Sequence, residues 1–312
     1  MVVAHTVQEI GFQPETIVTL GTFDGVHAGH SSIMTELARI AKKRNYRSVV
    51  MTFDPHPRTV VGRGPVQLLT TLTERLALLE QLDVDAALVL EFTYDFSRQS
   101  AREFYKQYVV EGTGAREVLI GHDHMFGRDR KAGIEELRLL GREFGFDTTV
   151  IEPVTIDNEI VNSSRIRALL TGGDVERASR FLQRPYTLSG TVIHGDGRGK
   201  QIGFPTANID VDHKEKIIPA HGVYVVMVDV EGRKYSGMMN IGIRPTFHKT
   251  EQRVLEIHLL DCNDDLYNKQ MTIHFVKRLR AEKKFESVDA LIAQLQRDRA
   301  DTINHVSAFH TH

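Results

Sequence analysis

Two stretches of this chain combine residue types that handle phosphate. In Gly190–Asn208, GTVIHGDGRGKQIGFPTAN, glycines 195, 197, 199 and 203 free the backbone to reach positive φ and turn N–H groups toward an anion, and Arg198 and Lys200 add charge. Thr206 and Asn208 then present a hydroxyl and an amide carbonyl on alternate residues. Hard neutral oxygens of this kind suit Mg²⁺, which keeps waters and shares nucleotide phosphates instead of filling an all-protein cage. A glycine-rich hairpin with solvated charges is the other reading of the glycines, although a hairpin has no need of Thr206 and Asn208 at this spacing.

The second stretch is GTFDGVHAGH, Gly21–His30. Gly21, Gly25 and Gly29 allow tight turning. His27 and His30 stand three apart where a helical pattern begins, so both imidazoles can share one face beside free N–H groups and the positive end of the helix dipole. That is an anion site, and the anion it suits is a phosphate.

The elements that hold these stretches follow from periodicity. Apolar runs at 16–20, 47–53, 85–91, 117–121 and 147–152 alternate with helix-period segments at 30–44, 73–82, 100–110 and 133–144, the pattern of a parallel, doubly wound α/β sheet. Ligands of such sheets sit beyond the carboxyl ends of the strands, which is where the 21–30 loop falls. Helical segments at 164–171 and 174–182 end at Gln183-Arg184-Pro185, and a domain boundary is expected at 184–187, giving domains 1–185 and 186–312. Short strands at 186–195, 222–230, 233–242, 253–261 and 270–280, with turn signals at Glu231-Gly232 and Asn263-Asp264, predict a small antiparallel barrel covered by a terminal helix from Ser287.

The 312 residues, 41% apolar and 26% charged, are enough to bury two cores, and the formal net charge of −2 offers no basic field for nucleic acid or a membrane surface. Cys262 is the single cysteine, which excludes an internal disulfide and fits a reducing cytoplasm. MVVAHTVQEIGF has neither the basic nor the apolar region of a leader, and no apolar run is long enough to span a membrane. Nothing in the sequence specifies an oligomeric state.

Further positions carry two readings each. Pro55 and Pro57 fix an extended path that could hold Phe53 and His56 against a flat ring, or simply stiffen a surface loop. Asp123 is an acceptor for a ribose hydroxyl or an adenine amino group, or else a helix cap or a solvated loop residue. Ser163 and Ser164 sit where an N-cap belongs, and Arg165 follows at a helix start, where a cation opposes the dipole and is better explained by a polyphosphate. Glu256 lies on the face of RVLEIHLLD opposite Leu255, Ile257 and Leu259. It is either solvated or, if that face lines a pocket, able to accept a hydroxyl proton.

The Gly21–His30 loop resembles the HxGH signature of nucleotidyltransferases. Together with MTFDPHPRTV, IGHDHMFGRDRKAG and VNSSRIRALLTGGDVERA it is similar to the corresponding segments of bacterial bifunctional riboflavin kinase/FAD synthetases. GDGRGKQIGFPTAN, GVYVV, MNIGIRPTF and LEIHLLD resemble the riboflavin kinase half, in the same order. Asn162, where a serine is common, and His124, where an aromatic is usual, depart from the pattern. The resemblance implies a Rossmann-like adenylyltransferase domain and a kinase barrel that use ATP and Mg²⁺ to convert riboflavin to FMN and FMN to FAD. His27 and His30 would then stabilise phosphate charge, with Gly21, Phe23, Asp24, Gly25, Gly29, Asp123, Ser163, Ser164 and Arg165 around the first ATP. Phe53, Pro55, His56, Pro57 and Phe126 would meet the flavin. In the barrel, Gly195, Gly197, Arg198, Gly199, Lys200 and Gly203 would cradle the second ATP, Thr206 and Asn208 would hold Mg²⁺, and Glu256 would be the base. The competing readings are a nucleotidyltransferase for another phosphorylated acceptor, which needs neither the PTAN turn nor Glu256, and a non-catalytic flavin-binding module, which needs neither the histidine pair nor Thr206 and Asn208.

Overall fold

The computed structural model describes residues 1–62, 66–122, 133–195, 197–244, 252–262 and 264–307. The chain divides into two compact units, Met1–Ser163 and Ser164–His312.

In the first unit the chain runs β1 (Val2–Ala4), α1 (Val7–Ile10), β2 (Thr16–Leu20), α2 (Ala28–Arg44), β3 (Arg47–Asp54), α3 (Pro57–Val61), α4 (Leu72–Glu80) and β4 (Ala86–Glu91). It continues through α5 (Tyr94–Ser97), α6 (Ala101–Phe104), a π-helical turn (Tyr105–Val110), α7 (Glu111–Thr113), β5 (Ala115–Gly121), α8 (Ile134–Phe144), β6 (Asp147–Ile151) and the hairpin β7 (Thr155–Ile156) and β8 (Glu159–Ile160). The six-stranded sheet has the order β1-β4-β3-β2-β5-β6 with every pairing parallel. The five strands expected from the apolar runs are β2 to β6. β1 is an addition, a short edge strand whose Val2 and Val3 are exposed and show no periodicity to read. Every residue of β2 is buried, because the sheet is covered on both faces: Leu20, Met51, Phe53 and Leu88 pack on one side and Ile17, Val50, Leu37 and Leu119 on the other. From β2 the chain winds first toward β3 and β4, then returns to β5 and β6. The loop after β2 therefore opens at the point where the winding reverses.

The second unit comprises α9 (Ser163–Gly172), α10 (Val175–Leu182), β9 (Tyr186–Ile193), α11 (Arg198–Gln201), β10 (Ala207–Val211), β11 (Gly222–Val230), β12 (Arg233–Arg244), β13 (Gln252–Leu259), β14 (Gln270–Arg280) and α12 (Val288–Ser307). Six strands close as β10-β13-β12-β11-β14-β9, each pairing antiparallel, with β9 and β10 sealing the barrel. The units part earlier than the expected boundary at 184–187, because α9 and α10 are bonded to the barrel. The Ala220 amide donates to Leu170 O at 3.1 Å, and Arg278 donates to the carbonyls of Gly172 (3.3 Å) and His221 (2.6 Å), closing the carboxyl end of α9.

The terminal helix begins where the sequence placed it, with the Ser287 hydroxyl accepting from Ala290 N at 3.1 Å. Its anchor is polar, however. Val288 is exposed, whereas Asp298, Thr302 and Val306 form the buried stripe. Arg280, at the end of β14, donates to both oxygens of Asp298 at 2.8–3.1 Å, and Gln294 donates to the same carboxylate at 2.8 Å. Asp298→Ala strands the Arg280 guanidinium beneath the helix, so it should destabilise the barrel by about 3 kcal/mol while Asp298→Asn costs less. Urea unfolding followed through amide exchange in α12 measures both.

Candidate active sites

In the first unit the loop between β2 and α2 is tightly folded. Phe23 and Val26 have φ of 46° and 36° and Gly25 of 89°, a left-handed path that is costly for a β-branched residue and is held by the surrounding bonds. Asp24, expected among the ATP-binding residues, is 0% exposed. Its carboxylate accepts from Leu69 N (3.0 Å), Thr70 N (2.9 Å) and Thr70 Oγ1 (3.2 Å), so it organises the loop from behind and presents no oxygen to solvent. Gly25 N donates to Thr70 Oγ1 at 2.9 Å. Gly21 serves close approach: a Cβ there would lie 3.1 Å from the Phe23 ring, whose edge packs on His30 at 5.2 Å.

His27 and His30 are brought together as their spacing predicts. Their rings stack with centroids 3.6 Å apart at 19°. His27 is also the N-cap of α2, its Nδ1 accepting from His30 N at 3.4 Å. Two imidazoles thus lie at the amino end of a seventeen-residue helix, where the dipole and unpaired amides favour an anion. A Cβ on Gly29 would approach the His27 ring to 3.3 Å, so glycine is what lets the cap sit flat on the helix.

The DPHP segment differs from its expectation. Phe53 is a core residue, 3% exposed, with Phe92, Phe96 and Phe104 at 5.6, 6.0 and 6.4 Å, and no open ring face remains for a planar ligand. The path is extended only as far as His56, which caps α3 by accepting from Arg58 N at 3.1 Å. Pro57 takes the first helical position, where its missing N–H costs nothing. Pro55 is exposed and follows a cis peptide bond. Ser163 and Ser164 lie inside α9 instead of capping it, and Ser163 Oγ donates to Asp24 O at 2.9 Å. Arg165 is in the first turn of α9, half-buried. Asp123, His124 and Phe126 fall outside the described residues.

The second unit builds its site on the outer face of the barrel. Leu255 and Ile257 are buried inside, so Glu256 points outward. The register sets Asn208 of β10 opposite Glu256 on one side and Asn240 of β12 opposite it on the other. Opposed residues on one face stand about 5 Å apart at Cβ, so this row is a continuous polar strip. Asn240 was missed because its strand periodicity showed only an outward polar residue, and cross-strand register is invisible in a single sequence.

The glycine loop folds over this strip. Gly197 and Gly203 adopt φ of 67° and 83°, whereas Gly195 and Gly199 are needed for approach: a Cβ on Gly195 would overlap the Asn208 amide, and one on Gly199 would overlap Phe204 O and stand 3.3 Å from Thr206 Oγ1. The loop is less open than expected. Residues 198–201 form a helical turn, and the amides of Lys200, Ile202, Gly203 and Phe204 bond to the loop's own carbonyls at 2.9–3.4 Å. His258 donates to Pro205 O at 2.8 Å and meets Phe204 edge-on at 5.2 Å, pinning the PTAN turn to the strand that carries Glu256. Among the described residues no group of three or more His, Cys, Asp or Glu could hold a metal ion unaided. The donors gathered here are the neutral oxygens of Thr206 and Asn208 beside one carboxylate, a set that fits Mg²⁺ shared with a nucleotide.

Comparison with known proteins matches the FAD synthetase family model to residues 10–165 and the riboflavin kinase model to residues 182–306. The bifunctional riboflavin kinase/FMN adenylyltransferase of Bacillus subtilis is 36% identical over 95% of this chain and 94% of its own length, and that of Escherichia coli K12 is 35% identical over 92% and 91%. A Streptococcus pneumoniae crystal structure described as a macrolide-efflux protein superposes with a TM-score of 0.88 at 31% identity, covering 97% of this chain and 98% of that one. Among the described residues no helix is long and apolar enough to cross a membrane. Two family models in sequence order, and relatives matched along almost their whole length, make this chain a member of the bifunctional riboflavin kinase/FMN adenylyltransferase family.

Proposed function

We propose that the chain makes both flavin cofactors, phosphorylating riboflavin to FMN and adenylylating FMN to FAD, each with its own ATP. The observation that carries this is the pairing of both family models on one chain with a site geometry suited to each. We assign adenylyl transfer to residues 1–185 and phosphoryl transfer to 186–312. Neither an adenylyltransferase for another acceptor nor a non-catalytic flavin module gains support, since each leaves one of the two matched halves without a task.

In the barrel, the riboflavin 5′-hydroxyl attacks the γ-phosphorus of ATP and ADP leaves. Glu256 orients that hydroxyl and takes its proton as the P–O bond forms, while the 195–203 loop bounds the phosphates and Lys200 offsets their charge. Thr206 and Asn208 would hold Mg²⁺, which when bound neutralises phosphate charge. In the parallel-sheet unit, a phosphate oxygen of FMN attacks the α-phosphorus of a second ATP and pyrophosphate leaves. His27 and His30 stabilise charge on the transferring and leaving phosphates, and the α2 amino end adds its dipole. The acceptor is already anionic, so no base is required there. Ser163, Ser164 and Arg165 assist with the triphosphate, and Pro55 and His56 with the flavin. The single Cys262 and the use of free nucleotides support a cytoplasmic enzyme.

Chromatography of flavins after incubation with riboflavin, ATP and Mg²⁺ should show FMN followed by FAD; unchanged riboflavin would refute the reading. His27→Ala with His30→Ala should lower FAD formation by about a thousandfold while FMN accumulates. Glu256→Ala should cut FMN formation by roughly a hundredfold or more, with FAD still made from added FMN. Gly195→Ala drives a Cβ into Asn208, and the Mg²⁺ concentration for half-maximal FMN formation should rise about tenfold, read from a Mg²⁺ titration at fixed ATP.

A further inference from the structure

Arg75, in α4, is 1% exposed, and no step of the proposed chemistry uses it. A buried guanidinium is costly unless its charge and its donors are met. Here Nη1 donates to Thr52 Oγ1 at 2.8 Å and to Phe53 O at 3.1 Å, and the Thr52 hydroxyl in turn donates to Thr22 O at 3.2 Å. The carboxylates of Asp24 and Asp54 act on it electrostatically, offsetting a burial that lowers its pKa. Among the described residues its Nε has no hydrogen-bond partner. One cation therefore sits at the carboxyl end of β3 and reaches residue 22 of the loop through the Thr52 hydroxyl.

The rest of α4 is arranged to keep it there. Thr71 and Glu74 form a reciprocal cap at 3.2 and 2.8 Å, fixing the first turn, and residues 69 and 70 ahead of that cap are the ones that bond Asp24. Left-handed Phe23 and Val26 need such support, because unsupported they would relax and carry His27 with them.

We propose that Arg75 is a positioning residue for adenylyl transfer: by bonding Thr52 and Phe53, and through the Thr52 hydroxyl the Thr22 carbonyl, it fixes the loop that sets where His27 and His30 stand. It touches neither the nucleotide nor the flavin. The inference rests on the adenylyl-transfer reading of the first unit.

The test uses the full chain and follows FAD formation from FMN and ATP, with FMN formation from riboflavin in the same preparation as the control. Arg75→Met should lower kcat for FAD formation about a hundredfold, a loss typical of a misplaced transition-state group, while the KM for ATP changes less than about threefold. Arg75→Lys, which keeps the charge and one donor, should recover at least about tenfold of that loss. FMN formation should be unchanged in both. A wild-type kcat in Arg75→Met overturns the proposal, as does equal loss in kcat and affinity. If Arg75→Met does not fold by circular dichroism, Arg75→Gln and Arg75→Lys decide: wild-type kcat in both overturns the proposal, and a lower kcat in Gln than in Lys supports it. Undiminished FAD formation by His27→Ala/His30→Ala would instead remove the reading beneath it, and the proposal with it.

Discussion

The pairing of Asn208 with Glu256 is the constraint on which the kinase face depends. Side chains alternate faces along a strand, so a slip of one residue between β10 and β13 would turn Glu256 into the barrel and Leu255 or Ile257 out of it. Closure of the barrel forbids that slip, because β13 is held in register by β12 as well and β10 by β9. A carboxylate on the outer face, flanked by two asparagines, is therefore a consequence of the core's own packing. The His258 bond to Pro205 extends the same register to the PTAN turn. The polar row and the PTAN turn are aligned by one strand, β13.

The first unit solves a different problem. Its imidazoles stand on a helix start, which is rigid, but they are reached through a loop that turns left-handed twice within a few residues. Such a path persists only if surrounding bonds over-determine it. Buried Asp24 provides those bonds on one side, and Ser163 adds another from the start of α9. Asp24, which looks ligand-facing in the sequence, lies inside because its carboxylate forms these bonds, whereas Phe53 lies inside because its ring packs in the aromatic core.

Strands β2 to β6 and most helices were legible because parallel strands buried on both faces are continuous apolar runs and the crossover helices keep a clear period; the short strands β1, β7, β8 and β10 were not among the expected ones. The histidine pair and the Thr206/Asn208 pair were legible for a related reason: both depend on separations of two or three residues, which local geometry carries directly into space. What was not legible depends on longer separations. Asp24 meets Leu69 and Thr70, Phe53 meets Phe92 and Phe104, and Asn240 meets Glu256, and none of these is encoded in local spacing. The compact units divide at Ser163/Ser164, ahead of the boundary expected from the sequence. Helix periodicity stops at Pro185, but α9 and α10 bond to a barrel that comes later in the chain.

The glycines of the two loops show that conformational freedom and close approach are separate demands. Gly25, Gly197 and Gly203 take positive φ, yet a Cβ at Gly195 or Gly199 would overlap the Asn208 amide or Phe204 O, and one at Gly21 or Gly29 would crowd the ring of Phe23 or His27. The second group could be substituted without backbone strain, and it is nevertheless the group that sets the positions of the chemical groups. A glycine-rich phosphate loop is thus better understood as a surface from which side chains have been removed so that particular neighbours can reach their positions.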